Sequence, residues 1–138
     1  MQQLSTAIYS YFTALPINAL YTSISGRLYN TMAPTNVLFP YVVFSYVSDT
    51  ADFLFDGITD SVLVQFSIYS FSGQGSRSTA EIETIYDNLI SLFDNAILTV
   101  TGYTFAQMNR VSTYGLRQDP EDDIWQLMVD YSIFLQKN

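Results

Sequence analysis

Three groups of residues in this chain have types and spacings that suggest chemistry. Asp119, Glu121, Asp123 and Asp130 stand at positions 1, 3, 5 and 12 of a calcium-binding loop. Such a loop needs glycine at position 6 for its sharp bend and a bidentate glutamate at position 12. The chain has Ile124 and Asp130 there, in a stretch that alternates like a strand, so the cluster reads as a solvated acidic turn. Gly73-Gln74-Gly75-Ser76-Arg77-Ser78 precedes a helical pattern and looks like a phosphate-cradling loop. Ser78 replaces its third glycine and no Lys-Ser or Lys-Thr pair follows, which leaves a glycine-rich loop ahead of a helix. Asp49, Asp52, Asp56 and Asp60 would supply paired carboxylates for acid–base hydrolysis. Nothing in their spacing fixes two of them about a sugar, and Phe53-Leu54-Phe55 sits among them. An exposed loop with an apolar tip and acidic flanks is better read as a docking element, unless it folds back on its own sheet. Trp125 and the tyrosine-rich strands would stack a ligand, but aromatics at strand spacing more often form core or subunit interface.

Composition removes further chemistry. The 138 residues include no cysteine and no histidine, which excludes disulfides, thiolate nucleophiles, ordinary zinc sites and Ser–His or Cys–His pairs. Five basic residues face 13 acidic ones for a net charge of −8, so the chain lacks the Lys/Arg cluster that a nucleic-acid reader needs. Only 13% of residues are charged, while aromatics reach 16% and mean hydropathy is +0.16. Soluble domains ordinarily carry about 25% charge. The missing charge points to surface reserved for partners. No apolar run approaches the ~20 residues that cross a bilayer, and Met1-Gln2-Gln3 lacks the basic start of a signal peptide. The expectation is a protein made and used in solution, with no cofactor, no metal and no membrane partner.

The elements that must position these residues follow from periodicity. Leu4, Ala7, Ile8, Tyr11, Phe12 and Leu15 recur at helical spacing until Pro16, and a second helix over 18–25 places Leu20, Tyr21 and Ile24 inward before Gly26. Residues 27–29 suggest a short strand, and 41–48 are rich in β-branched and aromatic types. Residues 61–71 alternate, with Val62, Val64, Phe66 and Ile68 on one face. These two strands pair antiparallel across a loop over 49–60. Ser78 and Glu81 read as a capping box for a helix over 79–95 with the stripe Ile82, Ile85, Tyr86, Leu89, Phe93 and Ala96. Strands over 97–101, 103–117 and 124–136 complete the chain, the last burying Trp125, Leu127, Val129, Tyr131, Ile133 and Leu135. The segregation predicts a single α+β domain over 1–138: an antiparallel β-sheet with an N-terminal helical hairpin and one central amphipathic helix packed on one face.

The order of several short motifs carries a resemblance. Ser25-Gly26-Arg27-Leu28-Tyr29-Asn30 and Met32-Ala33-Pro34 follow the first helices. Phe39-Pro40-Tyr41-Val42-Val43-Phe44-Ser45, Val64-Gln65-Phe66-Ser67-Ile68-Tyr69-Ser70 and Ile85-Tyr86-Asp87 come next. Arg117, Asp119-Pro120-Glu121-Asp122, Trp125-Gln126 and Val129-Asp130-Tyr131 close the series. Together they resemble the tail-completion (tail terminator, head-to-tail joining) proteins of long-tailed bacteriophages and their prophages. The resemblance implies a structural, non-enzymatic virion subunit, made in the host bacterial cytoplasm, that assembles into a homo-hexameric ring in the neck. Its implied partners are its own copies, the tail-tube protein, and a head–tail connector or head-completion protein. The genome passes through the lumen without specific binding, and an acidic wall that repels phosphate suits such passage. Two other readings stay open: another axial ring, such as a tail-tube subunit or head-completion protein, and a non-viral ligand-binding module.

Candidate contacts follow. Asp119, Glu121, Asp122 and Asp123 concentrate like charge, which is tolerated where water, a cation or a basic partner reaches it. They either dock on a basic rim of the neighbouring ring, line the lumen, or remain a solvated turn. Arg110 and Arg117 precede the turn and are expected to pair with some of its carboxylates, within or between subunits. Phe53, Leu54 and Phe55 form the apolar tip, and Arg77 is the cation of the glycine-rich loop.

Overall fold

The computed structural model describes residues 2–54, 57–71, 78–119 and 122–138, with the backbone alone for Asp52, Leu54, Phe105, Arg117 and Asp119. Helices α1 (Gln2–Thr13) and α2 (Ala19–Ile24) precede strands β1 (Leu28–Asn30), β2 (Tyr41–Leu54) and β3 (Gly57–Phe71). Helix α3 (Ala80–Phe93) then leads to β4 (Tyr103–Asp119) and β5 (Ile124–Lys137). The sheet order is β1-β2-β3-β5-β4, with β1 parallel to β2 and every other pair antiparallel. The fold is therefore α+β, with a short parallel strand added at one edge.

The core forms where one face of the sheet meets the apolar stripes of the helices. Val42, Phe44, Val62, Val64, Phe66, Ile68, Val129, Tyr131 and Ile133 point to that face and are almost fully buried. Ile8 and Phe12 of α1, Leu20 and Ile24 of α2, and Ile82, Ile85, Leu89 and Phe93 of α3 close over them. The Phe66 and Phe93 rings lie 4.9 Å apart, and Tyr131 meets Phe66 edge-on at 5.7 Å. Full burial of side chains this large contributes roughly 1.5–3 kcal/mol each.

One residue ties the helical hairpin together. Asn18 donates from Nδ2 to the Phe12 carbonyl at 2.7 Å and accepts the Tyr21 amide on Oδ1 at 2.8 Å. It thereby satisfies an orphan carbonyl at the end of α1 and caps the start of α2. The first helix stops at Thr13, short of the expected Leu15, which is 83% exposed. Ser25 and Gly26 turn left-handed after α2, and a Cβ on Gly26 would meet the Tyr21 ring at 2.9 Å, so glycine is required there.

Three local expectations are corrected. The loop over 49–60 is largely sheet: β2 and β3 stay paired out to Leu54 and Gly57, and β3 stays paired with β5 from Thr59 onward, so this hairpin is part of the sheet nearly to its turn. Its aspartates lower strand propensity, and of those whose side chains are described Asp49 is exposed and Asp60 half-buried. The expected strand over 97–101 is a single bridge, Ile97 to Gln107. Its alternation is real, since Leu98 and Val100 are buried and Ile97 is exposed. The chain nevertheless turns away, with the Tyr103 amide bonding back to the Val100 carbonyl at 3.1 Å and Gly102 at φ 89°. The capping box does not close. Ser78 Oγ accepts from the Ala80 amide at 3.3 Å, while the Glu81 carboxylate is engaged by the Ser70 hydroxyl of β3 at 2.6 Å.

Candidate assembly surfaces

The two candidate contact clusters occupy opposite ends of the sheet. At one end Leu54 pairs with Gly57 at the end of the β2–β3 hairpin, where Phe53 is 78% exposed. At the other end Asp119 pairs with Ile124, beside the end of β3 at Phe71, and the turn between them carries Asp122 and Asp123. Asp122 is exposed, and Asp123 is half-buried with φ 54°, the left-handed geometry of a tight turn. From Gly57 to Phe71, β3 runs roughly 45 Å at about 3.3 Å per residue, which separates the apolar tip from the acidic turn. Phe55, Arg77 and Glu121 lie outside the described residues, as do the side chains of Leu54, Arg117 and Asp119.

Arg110 does not reach the acidic turn. It pairs in register with Tyr131, seven positions along β5 from Ile124, or roughly 23 Å away. Its guanidinium instead meets Asp94 at 3.3 Å and donates to the Tyr86 hydroxyl at 2.8 Å. Tyr131 donates its own hydroxyl to Asp94 at 2.7 Å, and Tyr86 bonds Thr113 at 3.0 Å. Burial pushes the Tyr131 phenol far above its ordinary range, and the Asp94 carboxylate that it bonds adds to the rise. This network clamps the end of α3 to β4 and β5. Arg117 sits opposite Gln126, two positions before the turn.

The sheet face away from the helices is open. Leu63, Gln65, Ser67 and Tyr69 of β3 lie beside Gln126, Met128, Asp130, Ser132 and Phe134 of β5. Most are half-buried by one another, and polar side chains there are stitched laterally. Gln65 donates to Asp130 at 3.1 Å and contacts the Tyr114 hydroxyl, and Gln126 donates to Tyr69 at 3.1 Å. Tyr41 stacks on Tyr69 at 4.9 Å, and burial, then the neighbouring phenol, raises the Tyr41 pKa. Asp130 is the one ionisable carboxylate in the middle of this face among the described side chains. The low charge of the chain is thus concentrated in a broad amide, hydroxyl and aromatic surface, the kind that partner contacts favour.

Sequence patterning passed over three exposed apolar residues. Val47, Val111 and Leu116 are 56%, 59% and 45% exposed, and each stands at a register shift of an outer strand. The only trace in the sequence is a break in alternation at these points. A groove of about 400 Å³ between α1 and β1, lined by Ser5, Tyr9, Tyr29 and Phe44 among others, is a further concavity. Among the described residues no group of histidine, cysteine or carboxylate ligands converges on a metal position, and no helix is long and apolar enough to cross a membrane.

Residues 7–136 match the family described as "Tail completion protein gp17". Among solved structures, the fold is shared with a chain of "Virion of native gene transfer agent (GTA) particle" at a TM-score of 0.74 and 13% identity, covering 96% of this chain and 93% of that one. No curated protein sequence matches the chain.

Proposed function

Since the chain belongs to the tail completion protein gp17 family, and is thus a structural protein of the bacteriophage tail, we propose that it closes into a ring of six that ends the tail tube and joins it to the head connector. The genome then passes through the lumen of that ring. One observation supports this reading above the rest: the sheet carries different candidate contacts at opposite ends, an exposed Phe53 near the β2–β3 turn and the acidic turn after β4. A subunit that joins two different partners along one axis needs two such ends. The −8 net charge fits the passage of DNA, because repulsion from phosphate keeps the duplex off the wall. No step of this role calls for a catalytic centre or a cofactor.

The acidic turn is assigned to docking on a basic rim of the adjoining ring. Replacing Asp119, Asp122 and Asp123 with Asn and Glu121 with Gln tests this assignment. Unjoined heads and tails in electron micrographs are expected. Normal joining with slowed DNA ejection would move the turn to the lumen wall, and particles normal on both counts would remove it from the function. The ring itself is tested by imaging the neck of assembled particles, where a six-fold density of this protein is expected and any other symmetry overturns it.

A further inference from the structure

We infer that the uncharged side of the molecule, built from α1, β1 and the 31–40 connection, is a contact with a second copy of this chain and meets the 111–116 stretch of that copy's β4. This rests on the ring reading for its closure but not for the contact itself. Residues 1–48 carry a single charged side chain, Arg27, while all 13 carboxylates fall between Asp49 and Asp130. The Arg27 guanidinium is itself engaged, donating to the Pro40 carbonyl at 2.9 Å and to the Phe39 carbonyl at 3.1 Å. The surface around it is continuous. The Tyr46 hydroxyl, beside Val47, meets Ser5 of α1, and Asn30 of β1 donates to the same Ser5 at 3.1 Å. The Tyr29 ring lies 6.3 Å from Tyr41, which lies 5.2 Å from Phe39. Along this side Tyr9, Met32 and Leu38 are 47%, 78% and 69% exposed, and Tyr9 also lines the groove between α1 and β1. The cores of protein contacts are depleted of charge and rich in aromatic residues and methionine, because an unpaired charge is costly to bury there.

The sheet register supplies the occupant. One rung crosses all five strands through Asn30, Phe44, Phe66, Val129 and Thr113. The β1 side and the 111–116 stretch of β4 therefore stand at the same height on opposite edges. That stretch contains no charged residue, and its Val111, Tyr114 and Leu116 are exposed. Arg110 just before it is already held by Asp94. A copy displaced sideways in the same orientation sets the one surface against the other. The outlines of the two edges also fit. β1 lies outside β2 only over residues 42–44, and the 96–98 segment lies outside β4 only over residues 106–108, toward the other end of the sheet. Each projection thus faces a part of the neighbour's edge that has no strand outside it. Contacts that involved the 49–60 hairpin or the acidic turn of both copies would set carboxylates against carboxylates, whereas this one joins two uncharged surfaces. Contacts of this head-to-tail kind close into rings when the rotation allows.

Lysine substitutions test the contact, because their local and global effects have opposite signs. Each one moves the net charge from −8 to −7 and eases repulsion between copies, yet places an unpaired charge in the contact. Met32→Lys and Val111→Lys are each expected to weaken self-association by roughly tenfold or more in sedimentation velocity, with an unchanged circular dichroism spectrum. Both are also expected to enter assembled particles poorly. Phe134→Lys, on the open face of the sheet, is expected to associate at least as strongly as the parent chain. An equal mixture of the Met32→Lys and Val111→Lys variants is expected to form dimers and stop there, since each keeps the half that the other lacks. A Val111→Lys variant that still pairs with itself would show a symmetric contact and overturn the inference, as would either variant entering particles as the parent does. Loss of Met32→Lys from particles, with self-association unchanged, would assign this side to a different virion protein and overturn it as well. Closed rings of either variant in native mass spectrometry would overturn the contact while leaving the ring reading intact. Open oligomers of the parent chain that both variants lose would support the contact and overturn the ring.

Discussion

Tyr131 shows how one side chain holds several elements at once. It is fully buried against Phe66 and Phe93, and its hydroxyl reaches Asp94, which in turn holds Arg110. Its pKa is raised in the folded state, so the unfolded chain loses this proton first as pH rises. Stability from this source is fully present below about pH 10 and declines above it, by at most about 1.4 kcal/mol per pH unit. Tyr131→Phe is expected to flatten the alkaline fall in melting temperature, as followed by circular dichroism. Phe93→Ala, at a fully buried site, is expected to cost roughly 3–5 kcal/mol in denaturant unfolding. Trp125→Phe is expected to cost under about 1 kcal/mol. The Trp125 indole N–H is buried with no acceptor among the described residues, so removing it relieves a penalty that offsets the lost volume.

Helix α3 is the element whose sequence signals were plainest and whose start was nonetheless misread. The Ile82, Ile85, Leu89, Phe93 stripe is legible because burial at 3.6-residue spacing leaves a periodic trace. The fate of Glu81 is not legible, because its partner Ser70 lies on a strand and no local pattern records a tertiary bond. Glu81→Ala is accordingly expected to cost about 1–3 kcal/mol by leaving the buried Ser70 hydroxyl without its acceptor, with Glu81→Gln largely restoring it. Ser78→Ala is expected to cost less than Glu81→Ala, since the bond from the Ala80 amide to the Ser78 hydroxyl is long and exposed. Thermal melts of the three variants check the order. The strand faces of β3 and β5 were equally legible, as alternation follows from one buried side. The strand pairing over 49–60 was hidden by its aspartates, and the bulges at Val47 and Val111 were hidden because register belongs to pairs of strands. Among the candidate contact residues, the acidic turn and the apolar tip stand out in the sequence, but their placement at opposite ends depends on strand pairing.

At the scale of the whole molecule, charge sets the conditions for assembly. In the proposed ring, six copies at −8 each would carry −48, a repulsion that acts around the whole assembly. The Debye length shrinks from about 30 Å at 0.01 M salt to about 8 Å at 0.15 M, so self-association is expected to strengthen with salt over that range. Sedimentation velocity at the two concentrations checks this; association that weakens with salt would mean that local pairs outweigh the net charge. The sheet order has a consequence of another kind. β5 follows every other strand in the sequence, yet it sits inside the sheet between β3 and β4. A nascent chain emerging from the ribosome therefore displays β3 and β4 with their inner edges unpaired, and Val62, Val64, Phe66 and Ile68 half-covered, until β5 arrives. The subunit is obliged to fold late and all at once, and during synthesis its most adhesive strands depend on whatever holds nascent chains apart in the cell.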